Sequence, residues 1–291
     1  VIIGNIKGGL GNQMFQYAFA YAVAKNNKTR LQLDISNFDS YGLRQYELGK
    51  YCINVEITSV SEKNRLKYKK ESIFTRLFRQ LARKEKPLAT SYYREACFQF
   101  DNAAVNKLGA VYFDGYWQSE KYFSSYRADL LEHFSLKATV RAKSKEYQQK
   151  ILANQAVSLH IRRGDYVANA KANAVHGTCG LDYYREAVSA IKKAMDNPYF
   201  FIFSDDMGWA KENIDFIDQA IFVELGSGSL DHEEIWLMSE CQHNIIANSS
   251  FSWWGAWLNT NPSKIVIAPQ NWFKDSSINT KDLIPESWLR L

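Results

Sequence analysis

Two adjacent arginines follow an apolar run in His160-Ile161-Arg162-Arg163-Gly164-Asp165-Tyr166. Guanidinium forks match phosphate oxygens and keep their charge, so a diphosphate is a natural partner for such a pair. Asp165 offers the alternative of an internal ion pair that makes the cluster structural. Ser204-Asp205-Asp206 is a second polar cluster. Its acids are adjacent, and no D-x-D spacing, the usual metal-binding arrangement, occurs in the chain. Neighbouring side chains on an extended segment diverge, so at most one acid faces a site. Such an acid can accept from the N–H edge of a guanine, or it can cap the helix starting near Trp209. Asn248-Ser249-Ser250-Phe251-Ser252-Trp253-Trp254-Gly255 places hydroxyls and backbone N–H groups at a helix mouth, which suits phosphate. Its tryptophans fit either stacking on a sugar or helix packing. Gly8-Gly9-Leu10-Gly11-Asn12-Gln13 gives a turn where backbone can approach a ligand. It departs from the dinucleotide pattern G-x-G-x-x-G, although Asp34 lies about where a ribose-binding acid is expected.

The elements that carry these clusters read as alternating strands and helices. Val1–Ile3, Arg30–Asp34, Ala156–Ile161, Tyr199–Phe203, Ala220–Leu225, Asn244–Ala247 and Lys264–Ala268 have strand character. Asn12 is placed to cap a helix running to about Lys25, and helical patterns cover Leu181–Met195 and Glu233–Cys241. The alternation implies βαβ units and parallel sheets, in which ligands bind beyond the carboxyl ends of strands. The polar clusters follow those ends. A domain boundary is expected in the polar stretch 136–155, giving domains over 1–140 and 141–291.

Composition narrows the function classes. Hydrophobic residues make up 46% of the 291 and charged residues 23%, which excludes disorder and simple coiled coil. The net charge of +5 favours an anionic partner. Residues 62–86 hold ten Lys/Arg and three Glu, so the rest of the chain is slightly acidic. Basic residues crowded into one segment argue against a nucleic-acid-binding face. Within it Ile73, Phe74, Leu77, Phe78 and Leu81 follow helical spacing beside Arg76, Arg79 and Arg83. That stripe either packs on the domain or meets an anionic membrane surface. No apolar run reaches membrane-spanning length, and the start lacks signal-peptide character. Cys52, Cys97, Cys179 and Cys241 are scattered, which fits a reducing cytoplasm and no zinc site.

Four blocks in order add a resemblance. Gly8 through Ala18 resembles the N-terminal motif of α-1,2-fucosyltransferases, glycosyltransferase family 11. His160 through Tyr166 looks like their H-x-R-R-G-D-Y hallmark, and Phe203–Asp206 and Asn248–Leu258 are similar to the remaining blocks. The similarity spans Gly8 to Trp272 and is weakest over 41–106. It implies a GT-B-like α/β fold of two facing Rossmann-like domains with parallel sheets, the N-terminal one on the acceptor side and the C-terminal one binding GDP-fucose. It implies an inverting galactoside α-1,2-fucosyltransferase that uses GDP-β-L-fucose, a terminal β-galactoside acceptor and no metal or other cofactor. The closest resemblance is to bacterial members that build surface polysaccharide such as O-antigen, where the acceptor can be lipid-linked.

On that resemblance Arg162 contacts the β-phosphate and Arg163 supports it. His160 lies near guanine or diphosphate, and Asp205 or Asp206 reads guanine. Ser249, Ser250 and Phe251 line the diphosphate and fucose, and Asn12 faces fucose. Asp165 is the leading candidate base, with His176 and Asp182 behind it; a mechanism without a base stays open. The scattered cysteines give a cytoplasmic location as the expectation, and the membrane reading of 62–86 would add peripheral attachment to the inner face of the plasma membrane. The alternatives are a GT-B transferase using another sugar nucleotide and a sugar- or nucleotide-binding module without turnover.

Overall fold

A computed structural model describes residues 1–39, 44–164, 177–226 and 230–291. The chain divides into two compact units. One comprises 1–49 and 53–133, the other 50–52 and 134–291. The stretch 136–155 thus lies in the second unit. Residues 50–52 join it because Tyr51 bridges Leu136 and packs its ring against Phe134 at 5.6 Å.

The first unit is built on β1 (Ile2–Asn5), β2 (Leu31–Asp34), β3 (Glu56–Ile57), β4 (Tyr92–Arg94) and β5 (Val111–Asp114), in the order β3-β2-β1-β5-β4. Every described pairing is parallel. Strand β1 is buried along its whole length, as expected where helices cover both faces of a parallel sheet. The helix Leu10–Asn26 packs beside it and is buried on nearly every side. It starts at Leu10 with Gly9 as cap, three residues before the expected cap Asn12. Two of its buried polar residues fix the preceding loop. The Gln13 amide donates to the Gly8 carbonyl, and the Lys7 backbone N–H donates to Gln16.

The second unit has β6 (Ala156–Ile161), β7 (Tyr199–Ser204), β8 (Ala220–Phe222), β9 (His243–Ile245), β10 (Val266–Ala268) and β11 (Leu289–Arg290), in the order β11-β10-β9-β6-β7-β8. All of these pairings are parallel too. The α/β class with two parallel, Rossmann-like sheets is therefore the one the chain adopts. Strand β8 ends at Phe222, three residues short of the expected Leu225. The core joins β6, β7 and β9 to the helix Leu181–Ala194 through Leu159, Ile191, Ile202 and Ile245.

Trp253, Trp254 and Trp257 are buried in the helix Ser250–Leu258, which resolves the choice between packing and sugar stacking in favour of packing. Each buries about 200 Å² of ring, worth roughly 5 kcal/mol before its entropy cost. Trp253 also donates its indole N–H to the Leu283 carbonyl at 2.9 Å. Gly255 lets this helix approach the helix Asp231–Glu240, since a Cβ there would lie 2.7 Å from that of Met238.

Candidate active site

The polar clusters of the second unit converge where β6, β7 and β9 end. Strand β6 delivers Arg162, Arg163 and Gly164, and its neighbour β7 delivers Asp205 and Asp206. Arg162 Nη1 lies 2.9 Å from Asp205 Oδ2. The backbone N–H groups of Arg163 and Gly164 donate to the two oxygens of the same carboxylate, at 2.8 and 3.0 Å. Asp205 thus holds both the loop and the arginine. An arginine presents five N–H donors in one plane, so this ion pair sets the plane in which the fork meets a ligand. Gly164 leaves room for this carboxylate: a Cβ would sit 2.8 Å from Asp205 Oδ2 and push it aside.

Arg163 points the other way. Its guanidinium stacks 3.8 Å over the Trp209 ring, and its Nε lies 3.6 Å from Asp206. Asp206 also caps the helix Met207–Asn213, accepting from the Trp209 N–H at 3.1 Å. Both acids expected near guanine therefore already have protein partners, and these two ion pairs run from the end of β6 to the end of β7.

His160 is buried at the end of β6, with its ring 5.5 Å from that of Phe251. Burial first, then the Arg162 charge, lowers its pKa to about 3 against the opposing pull of Asp205. The ring is neutral at ordinary pH, and its Nδ1 has no hydrogen-bond partner among the described residues. Ser249 caps the helix Ser250–Leu258 by accepting from the Phe251 N–H. Ser250 is the first residue of that helix, at its positive end. Asn248 is buried beneath, donating to the Gly177 and Trp272 carbonyls. Beside it lies a cavity of about 690 Å³, lined in part by Cys179, Tyr183, Gln270 and Lys274.

One acid went unnoticed in the sequence. Glu234 lies in the first turn of the helix Asp231–Glu240. Its neighbour Glu233 turns inward to accept from the Ser144 hydroxyl. Burial pushes the Glu234 carboxyl up to about 8, helped by repulsion from Asp231 and Asp205. That coupling to Asp205 places Glu234 in the electrostatic surroundings of the arginine loop. The only signal in the sequence was an acid opening a helix after β8, which also describes an ordinary dipole-favoured position.

A pH dependence follows. A carboxyl raised above its ordinary 4.5 contributes stability fully present below about pH 4.5 and lost as pH rises through about 8. Glu234→Gln should therefore raise the melting temperature over wild type more at pH 8.5 than at pH 5. Equal shifts at both would place the raised carboxyl elsewhere.

Asn12 belongs to the first unit, where its side-chain oxygen accepts from Gln118 at 2.6 Å. Asp165 and His176 lie outside the described residues. Asp182 is exposed in the first turn of the helix Leu181–Ala194. Among the described residues no group of three or more His, Cys, Asp or Glu is placed to hold a metal.

Comparison with known proteins agrees with this picture. The sequence model of glycosyl transferase family 11 matches residues 1–291. An α-1,2-colitosyltransferase of Escherichia coli is 36% identical, over 100% of this chain and 99% of its own. The O-antigen biosynthesis glycosyltransferase WbnK of Escherichia coli is 33% identical, over 98% and 99%. The crystal structure of POFUT1 in complex with GDP-fucose superposes with a TM-score of 0.51 at 11% identity, over 92% of this chain and 97% of that one. This last likeness concerns the fold alone. Family, relatives and fold agree: the chain is a glycosyltransferase and belongs to glycosyl transferase family 11.

Proposed function

We propose that the enzyme moves L-fucose from GDP-β-L-fucose to the 2-hydroxyl of a terminal β-galactoside, with inversion, in building a surface polysaccharide. The observation that carries this reading is the arginine loop after β6, held from β7 by Asp205. The names of the relatives support an α-1,2 linkage and an O-antigen setting. The GDP-fucose bound by the fold neighbour supports the donor.

In this reading the diphosphate sits across the end of β6, against Arg162 and the mouth of the helix Ser250–Leu258. The acceptor oxygen attacks the anomeric carbon from the face opposite GDP, through an oxocarbenium-like transition state. Negative charge grows on the β-phosphate as the bond breaks, and Arg162 is oriented in advance to stabilise it. Arg163, stacked on Trp209, stiffens the loop. A neutral His160 donates or accepts one hydrogen bond without adding charge. A protonated Glu234 offers both a donor and an acceptor to the purine edge, a role that Asp205 and Asp206 are less free to fill. Asp165 is the proposed base for the acceptor hydroxyl.

A second reading is favoured by one relative: the donor sugar is colitose, which is L-fucose lacking its 3-hydroxyl. The test is GDP release from GDP-fucose and from GDP-colitose, with and without lactose, with the product linkage determined by NMR. Each reaction is run with and without EDTA. Acceptor-dependent release from GDP-fucose, an α-1,2 product and indifference to EDTA are expected. Turnover with GDP-colitose alone would transfer the assignment to the second reading. Donor binding without turnover would favour a binding module.

A further inference from the structure

Residues 69–87 form an excursion from the first unit, closed at its base by an antiparallel bridge between Tyr68 and Leu88. The Lys69 N–H donates to the Pro87 carbonyl, and the Ala89 N–H to that of Lys67. The excursion carries the helix Ile73–Leu81, capped by Ser72, whose hydroxyl accepts from the Thr75 N–H. Arg83 then takes a left-handed φ of 51°, and the Lys84 N–H returns to the Arg79 carbonyl, so the chain reverses.

At 100° per residue, Ile73, Phe74, Leu77, Phe78 and Leu81 fall within an arc of about 140°. Packing on the domain, one of the two readings of this stripe, does not occur. The five side chains are 53 to 85% exposed. Isolated exposed leucines are ordinary, but two phenylalanines and three aliphatics on one short helix form a contiguous patch that demands a partner.

Charge identifies the partner. Arg79 is tied to Glu71 at 2.8 Å and braces the helix. Arg76 lies on the polar side, and Arg83, Lys84 and Lys86 cluster past the last turn. Glu85 is the only acid from Ser72 to Lys86. An apolar face bordered by cations fits acyl chains below anionic headgroups, whereas a second copy of this chain would bring the same cations against themselves.

We infer that the helix Ile73–Leu81 docks on an anionic lipid bilayer, its five apolar side chains entering the interface beneath Arg76, Arg83 and Lys84. Attachment of this kind is peripheral and weakens with salt. It is independent of the donor sugar. No helix among the described residues is long and apolar enough to cross a membrane.

The test is co-sedimentation of the full chain with phosphatidylcholine vesicles, with and without phosphatidylglycerol. Binding is expected only with phosphatidylglycerol. Each neutralised cation should cost about fivefold, so Arg76→Gln/Arg83→Gln/Lys84→Gln should lose roughly 100-fold. Phe74→Ser/Phe78→Ser/Leu81→Ser should abolish binding with an unchanged melting temperature, because all three side chains are exposed. Equal binding to neutral vesicles, or undiminished binding by either variant, would overturn the inference. So would the absence of binding, and so would a wild-type dimer that the serine variant dissolves.

Discussion

Arg162→Ala is expected to lower turnover by about 10²–10³-fold, the usual cost of removing one preorganised donor from a developing negative charge. The fold should survive. Asp205 keeps its two backbone N–H donors when the side chain goes, and Arg162 is not among the residues that fill the core. Melting temperature and circular dichroism should therefore stay near wild type while kcat collapses. Arg162→Lys should recover only part of the loss, because an ammonium keeps the charge but not the planar fork set against Asp205. Near-normal turnover in the alanine variant would remove Arg162 from the reaction.

Asp205→Ala should be nearly as damaging, by a different route. Its carboxylate joins the Arg162 side chain to the Arg163 and Gly164 backbones, so one deletion frees the whole loop. Misplacing a catalytic group by about 1 Å can cost on the order of 10²-fold in rate. The stability cost should be smaller, about 1–2 kcal/mol, since water can reach the freed N–H groups. The variant carries a second signature. Asp205 helps to raise the Glu234 carboxyl and opposes the depression of His160, so its loss should lower the pKa of both. An Asp205→Ala enzyme with normal kcat/KM and an unshifted pH profile would mean that the loop needs no such brace.

Much of this arrangement was legible in the sequence because it depends on local pattern. Apolar β-branched and aromatic runs ending in polar clusters marked β6, β7, β9 and β10 and placed the clusters at strand ends. The glycines at 8, 9 and 11 marked a turn, and the spacing of Met14, Phe15, Ala18, Tyr21 and Ala22 marked a helix, although Gly9 rather than Asn12 caps it. Strand β5, Val111–Asp114, was missed despite its strand-like residues, because it stands beyond the long segment where the pattern weakens. Strands β3 and β11 have two residues each, too few for any periodicity.

The partners of the charged residues were harder to read. By residue type the adjacent Arg162 and Arg163 are alike, and the placement of β7 beside β6 shows what holds each. One fork is held by Asp205, and the other is stacked on Trp209 beside Asp206. Glu234 was invisible because its raised carboxyl arises first from burial, with smaller repulsion from Asp231 and then from the distant Asp205. The helix Ile73–Leu81 was legible as amphipathic. That its apolar face stays exposed rather than packing on the domain was not.

The most direct measurement is a crystal structure of the enzyme with GDP. The diphosphate is expected at the end of β6, within hydrogen-bond distance of the Arg162 guanidinium and facing the helix that begins at Ser250. GDP bound elsewhere, with the Arg162 guanidinium out of its reach, would contradict the assignment on which the proposed reaction rests.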